Sequence, residues 1–338
     1  MLAKKISGTF KQNILCLSIN YAMNIQPINN KQNYTAFSGH GGCERIIKNG
    51  RFNYITTETR FFRDYKTLKY AINYINEVFR DVKEKSFVVG ACSTGEDIYS
   101  LKMLMHEAPV KILGFDIGKD TIKRARSGIF EFYIPHDKKA QKYTQFVEMN
   151  TFNDKFLVDE CDNLSPEQVA LKEEFNKLFK NIDSKNKMIY KLTEAFRKFL
   201  DIAYVEFDRK LYKLKSKDSN CTFVNGDILE LNKILSTKRK NQLFAFKNAF
   251  YHIITNDEGA QRLSKPHSQT KPILDKIFQN INKSLDKNGL FIMGEEEHKQ
   301  KSDVTIISKS LIDNGFIPIR TDSKYPSIWK KVKEVDYR

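Results

Sequence analysis

Apolar positions along this chain alternate between two spacings. From Asp64, the residues Leu68, Ala71, Ile72, Ile75, Val78 and Phe79 fall three or four apart and form one stripe, which predicts a helix. Ser86-Phe87-Val88-Val89-Gly90 then runs without a polar break into small residues and predicts a buried strand. Ile98 to Met105 reads as a helix and Val110 to Asp116 as a strand. Thr121 to Arg126 reads as a helix closed by Ser127-Gly128. Strands that alternate with helices imply parallel pairing through crossovers.

The stretch from Asp137 to Asn220 is different. It is crowded with Lys, Glu and Asp and has little period-two alternation. Ser165-Pro166-Glu167-Gln168 carries a helix start, with Ser as N-cap, Pro at the first helical position and Gln closing a capping box. The stretch is read as a mostly helical insertion. Afterwards the earlier rhythm returns. Strands are expected at Thr222 to Val224, Leu243 to Lys247, Leu290 to Met293, Phe316 to Arg320 and Ile328 to Val332. Helices are expected at Ile273 to Leu285 and Val304 to Asn314, with a turn at Asn288-Gly289. The expected fold is α/β, a mostly parallel Rossmann-like sheet with helices on both faces. Its expected parts are an N-terminal segment 1–56 whose glycine cluster Gly39-His40-Gly41-Gly42 is a turn, a first half 57–136, the insertion 137–220 and a second half 221–338.

Composition narrows this only a little. The 338 residues are 41% hydrophobic and 29% charged, an ordinary globular balance with few Pro and Gly. The apolar stretch Ile14 to Met23 is broken by Ser18 and Asn20, too short and polar for a membrane span and a poor signal-peptide core. The five cysteines Cys16, Cys43, Cys92, Cys161 and Cys221 stand singly, so no disulfide framework or zinc knuckle is expected, and a cytoplasmic location fits. The net charge of +16 suits a polyanionic partner such as nucleic acid. It equally suits coding drift toward Lys, Asn and Ile, and solvated lysines are the usual fate of such charge; drift is the reading taken.

Candidate chemistry centres on Gly90-Ala91-Cys92-Ser93-Thr94-Gly95-Glu96-Asp97, which joins a buried strand to a helix. Small residues let backbone approach a ligand, and helix N-terminal amides point at it. A Walker loop needs Lys and Ser or Thr after its last Gly, whereas Glu96-Asp97 would repel phosphate. A dinucleotide fingerprint needs a middle glycine that is missing here. Acids suit a cationic ligand, and S-adenosylmethionine carries an ammonium and a sulfonium with no phosphate. Asp116 closes the next strand about 20 residues on, the spacing at which an acid reaches ribose hydroxyls in such sheets. The plainer alternative is a turn with helix-capping acids.

Three segments resemble one family. Thr57-Glu58-Thr59-Arg60-Phe61-Phe62-Arg63 is similar to the T-x-F-F-R signature of CheR-type chemotaxis receptor methyltransferases. Ala91 to Ser100 is similar to their A-S-T-G-E-E-x-Y-S loop. Asp116-Ile117 with Ala125-Arg126-Ser127-Gly128-Ile129-Phe130 is similar to D-I…A-R-x-G-x-Y. More loosely, Lys247-Asn248 stands at the family's R-N, and Leu285 to Glu297 resembles L-x-P-x-G-x-L-x-x-G-x-S-E. The resemblance implies a class I methyltransferase fold, S-adenosylmethionine as donor and a protein glutamate as acceptor, with a chemotaxis receptor or another protein as partner. It implies that Thr57, Thr59 and Arg63 flank the cofactor, Arg63 near the reacting methyl. Gly90, Cys92 and Gly95 belong to the loop, with Asp97 at the methionine end. Asp116 would meet the ribose and Asp227 and Ile228 the adenine, while Lys247 and Asn248 would close the pocket. The family's site tyrosine falls on His252, with Tyr251 one residue early, and the family's β-subdomain is not recognisable in the insertion.

Carboxyl methylation needs neither metal nor triad, and the six histidines make no H-x-x-x-H pair. A glutamate is already ionised at pH 7. A guanidinium can orient it, with Arg63 as the candidate and Arg60 in reserve, while Phe61 and Phe62 are read as core anchors. Two other readings stay open. One is a divergent class I methyltransferase acting on another protein or on nucleic acid, with His252 or Tyr251 as base. The other is an inactive S-adenosylmethionine-binding module.

Overall fold

The computed structural model describes residues 42–48, 51–57, 59–106, 108–136, 154–158, 164–191, 204–235, 239–247, 249–258, 261–264, 266–294, 301–319 and 326–334. A hairpin of β1 (Gly42–Lys48) and β2 (Arg51–Thr57) comes first. The Gly39–Gly41 part of the expected glycine turn lies outside the described residues. Then follow α1 (Tyr65–Val78), β3 (Lys85–Gly90), α2 (Glu96–Leu104), β4 (Val110–Asp116), α3 (Lys119–Ser127) and β5 (Ile129–Pro135). All six residues of β3 are buried, as its unbroken apolar run requires of a central parallel strand. α1 buries Leu68, Ala71, Ile72 and Ile75 of the expected stripe, while Val78 at its end is exposed and Phe79 half-buried. Gly128, at φ 61°, closes α3 in the left-handed conformation that a residue with a Cβ adopts only at a cost.

The second half contains α4 (Pro166–Leu178), β6 (Phe179–Lys191), β7 (Tyr204–Leu214), β8 (Cys221–Asn225), α5 (Leu231–Ile234), β9 (Asn241–Phe246) and α6 (Tyr251–Ile254). It continues with the hairpin β10 (Thr255–Glu258) and β11 (Gln261–Ser264), then α7 (His267–Ser284), β12 (Leu285–Met293), α8 (Lys301–Asp313), β13 (Phe316–Ile319) and β14 (Ile328–Lys331). Seven strands make one sheet in the order β13-β14-β12-β9-β3-β4-β8. All its pairings are parallel except those of β14. Alternate residues feed two cores. Phe87, Val89, Leu243, Ala245 and Ile292 pack with α1, α2 and α3 on one face. Val88, Phe244, Phe246, Phe291 and Met293 pack with α7 and α8 on the other. The chain builds outward from β3 through β4 to β8 and then returns to the other side of β3 at β9. That reversal opens a crevice at the carboxyl ends of β3 and β9, the place where open α/β sheets bind ligands.

The expected helical insertion is corrected. The helix at Ser165 forms as read: Ser165 Oγ accepts from the Gln168 N–H at 3.2 Å, and Gln168 Oε1 accepts from the Ser165 N–H at 2.9 Å. Beyond Leu178, however, β6 and β7 pair antiparallel with each other and with β5 in a three-stranded sheet, β5-β7-β6. Only one face of this sheet is dry, so charged residues occupy the other, and register shifts in β6 between Asn181 and Asn186 interrupt its alternation. Phe61, Phe130, Phe132, Phe175 and Phe179 fill the dry side, with ring centroids 4.7–6.0 Å apart. Phe61 and Phe62 are thus the core anchors expected, 2% and 0% exposed.

Candidate functional site

The crevice is built from small residues and left-handed turns. A Cβ on Gly90 would lie 2.5 Å from the Phe115 ring and 2.8 Å from that of Phe246, so only glycine lets the chain leave β3 here. Ala91 (φ 51°), Ser93 (φ 49°) and Gly95 (φ 101°) then fold the loop back before α2. Such strain concentrates where a structure serves a ligand. Asp116, buried at the end of β4, clamps the loop: its Oδ2 accepts the Ser93 N–H at 2.9 Å and its Oδ1 the Gly118 N–H at 2.8 Å. The buried Ser93 hydroxyl has no hydrogen-bond partner among the described residues. A buried hydroxyl with no partner among the described residues, a loop that tolerates no added Cβ and a buried acid at the end of β4 fit a nucleoside cofactor such as S-adenosylmethionine.

Two acids open α2, and their surroundings differ. Glu96 is 4% exposed, and its carboxyl accepts from Thr94 Oγ1 at 2.6 Å. Burial pushes its pKa up to about 7, against the opposing pull of that hydrogen bond. Asp97 instead faces a cation: its Oδ1 lies 3.0 Å from Lys247 Nζ. Lys247, just past β9, has a side chain only 3% exposed. Its ammonium also donates to the Arg63 carbonyl at 2.7 Å and lies 3.5 Å from Asp64 Oδ2. Burial, followed by the field of Asp116, pushes the Cys92 thiol up, so Cys92 is a packing residue of the loop and no nucleophile.

The segment Thr59 to Asp64 crosses this crevice as a strap. Phe62 (φ 58°) and Asp64 (φ 59°) are left-handed on either side of Arg63. The Phe62 N–H donates to Ser100 Oγ of α2 at 2.8 Å, and Ser100 in turn donates to the Glu96 carbonyl at 2.7 Å. The strap is therefore pinned to α2 at one residue and to β9 at the next. Thr59 is buried, and Arg60 has a buried Nε with no hydrogen-bond partner among the described residues. Thr57 is the last residue of β2, opposite Gly42.

The remaining expected residues are dispersed. Asp227 caps a 3-10 turn by accepting the Leu229 N–H at 3.0 Å, and Ile228 beside it is buried in the α7-side core. Asn248 lies outside the described residues, as do the side chains of Tyr251 and His252, whose backbone lies in α6. The structure brings Arg63, Asp97 and Lys247 together, and gathers Gly90, Cys92, Gly95 and Asp116 in the loop. Sequence reasoning missed Asp64, Ser93, Glu96 and Ser100. The last three lie inside a segment it had singled out, but nothing in their spacing tells a buried acid from an ion-paired one.

Numbered in chain order, the main sheet reads 3-2-1-4-5-7-6 with its seventh strand antiparallel, the class I methyltransferase arrangement. Residues 57–198 match the family model described as CheR methyltransferase, SAM binding domain. Two curated relatives, each called chemotaxis protein methyltransferase and each from a Campylobacter jejuni strain, are 29% identical over 214 residues, which cover 58% of this chain and 78% of theirs. Over its matched part the chain is thus similar to CheR-type, S-adenosylmethionine-binding methyltransferases. Among solved structures, a putative rRNA-methylase from Clostridium thermocellum is 13% identical, covering 78% of this chain and 95% of that one at a TM-score of 0.33. A likeness that slight says nothing about the acceptor. No helix among the described residues is long and apolar enough to cross a membrane.

Proposed function

We propose that this chain transfers a methyl group from S-adenosylmethionine to the side-chain carboxylate of a protein glutamate, with chemotaxis receptors as the acceptor class. The observation that carries the reading is the strap: it bears Arg63, and it is pinned directly to the helix and strand that form the cofactor crevice. Bound S-adenosylmethionine supplies an electrophilic methyl group. The chain's own work is to hold, orient and exclude water. Asp116 and the Ser93 hydroxyl offer hydrogen bonds to the nucleoside. The Arg63 guanidinium pairs with the incoming carboxylate and aims one oxygen along the line of attack. No general base is required, because a glutamate of ordinary pKa is anionic at pH 7. Fixing two reactants in line accounts for most of the acceleration such a site needs. The names of the curated relatives support the receptor as acceptor. On this reading the body of the enzyme is 57–136 with 221–338, and 137–220 is an insertion.

The test is methyl transfer from labelled S-adenosylmethionine into the membrane and soluble proteins of the source cell, followed by mapping of the modified residue. Label on glutamate, released as methanol by mild alkali, is the expected result. Alkali-stable label on lysine or arginine, or label on nucleic acid, would overturn the proposal.

A further inference from the structure

Lys247 is a buried cation that touches both the strap and α2. Its ammonium donates to the Arg63 carbonyl at 2.7 Å, sits 3.0 Å from Asp97 Oδ1 on α2 and lies 3.5 Å from Asp64 Oδ2 at the start of α1. The three partners are remote in sequence from Lys247 and meet only here. We propose that Lys247 is a positioning residue: by gripping the main chain of Arg63 while balancing Asp97 and Asp64, it fixes the acceptor-side strap at a set height above the cofactor loop. This rests on the methyltransfer reading above and adds to it a residue that acts through Arg63.

Several features support the assignment. The grip falls on the carbonyl of Arg63, the residue between the two left-handed positions Phe62 and Asp64. A turn of that kind persists only when its surroundings over-determine it. The other pin, from the Phe62 N–H to Ser100, restrains one side of the turn, and Lys247 restrains the other. An ammonium is a compact charge that can donate to the Arg63 carbonyl while standing in the field of two nearby carboxylates. A planar guanidinium would spread its donors in one plane. Asp97, expected from sequence at the methionine end, is on this proposal also a charge partner of the strap through Lys247.

The test uses the full chain and a double-mutant cycle. Lys247→Met, Lys247→Arg, Arg63→Ala and the Lys247→Met/Arg63→Ala pair are compared by three readouts. These are hydrogen exchange of the strap amides 59–68, calorimetric affinity for S-adenosylhomocysteine, and the initial rate of labelled methyl transfer into extract protein. Lys247→Met should raise strap exchange at least about tenfold. It should lower transfer on the order of a hundredfold and shift affinity by less than about tenfold. Lys247→Arg should recover part of both losses, and Lys247→Met should cost nothing further once Arg63 is alanine. If Lys247→Met fails to fold, Lys247→Met with Asp97→Asn, which removes one stranded buried charge, takes its place in the cycle. Unchanged strap exchange, or losses that multiply in the double variant, would overturn the proposal. If Arg63→Ala alone transfers methyl at the normal rate, the methyltransfer reading of Arg63 fails instead, and strap exchange still decides whether Lys247 holds the turn.

Discussion

Replacing Glu96 with glutamine should change how stability depends on pH. Glu96 is 4% exposed at the start of α2, and burial raises its pKa from 4.5 to about 7. The folded protein therefore holds this proton more tightly than the unfolded chain does. Between about pH 4.5 and 7 the unfolded chain binds fewer protons at this site, so stability falls as pH rises through that window. Below it the contribution is flat, and above about pH 7 the full penalty for burying the charge applies. At about 1.4 kcal/mol per pH unit, the gap between 4.5 and about 7 is worth about 3 kcal/mol. Glutamine keeps the volume and can still pair with Thr94, but it cannot ionise. Urea unfolding of both proteins should thus agree within about 1 kcal/mol near pH 4.5 and diverge to about 2–4 kcal/mol in favour of Glu96→Gln at pH 8. Taking the difference between the two proteins at each pH removes every other titrating group. Parallel stability profiles from pH 4.5 to 8 would refute the reasoning, because they would mean that Glu96 ionises in the folded protein as freely as in water.

Three further outcomes follow from the crevice. Asp116→Ala removes two charge-assisted hydrogen bonds that clamp the loop and should weaken S-adenosylhomocysteine binding by about 1.5–3 kcal/mol, with Asp116→Asn milder; equal calorimetric affinity in all three proteins would take Asp116 out of the cradle. Gly95→Ala puts a Cβ at φ 101° and 3.0 Å from the Phe223 ring, so thermal unfolding should show a loss of about 1–2 kcal/mol, and an unchanged melting temperature would contradict that. Arg63→Ala should keep fold and cofactor affinity yet slow single-turnover transfer by about 2–4 kcal/mol, and Arg63→Lys should rescue poorly because an ammonium cannot fork onto a carboxylate; full rates in both would remove Arg63 from the site.

The parallel core was legible because strands buried on both faces leave unbroken apolar runs, as at Phe87 to Val89 and Leu243 to Phe246. The α4 start was legible because capping is local chemistry, complete within Ser165 to Gln168. The small sheet was not, since a strand with one wet face and irregular register writes neither clean alternation nor an apolar run. α7 was read only from Ile273, yet the helix starts at His267 and keeps Pro272 inside. In the site, the glycine loop and Asp116 follow from local constraints at strand ends. The three-way contact of Lys247 does not, because Asp64, Asp97 and Lys247 meet only after the sheet reverses at β3 and β9.

The central claim is that the crevice between the Gly90–Gly95 loop and Asp116 holds S-adenosylmethionine. Calorimetric titration of the full chain with S-adenosylmethionine, S-adenosylhomocysteine, NAD and ATP tests it most directly. One saturable site is expected for the first two ligands, weakened in Asp116→Ala, and no site for the phosphate-bearing pair. Saturable binding of NAD or ATP, with none for S-adenosylmethionine or S-adenosylhomocysteine, would contradict it.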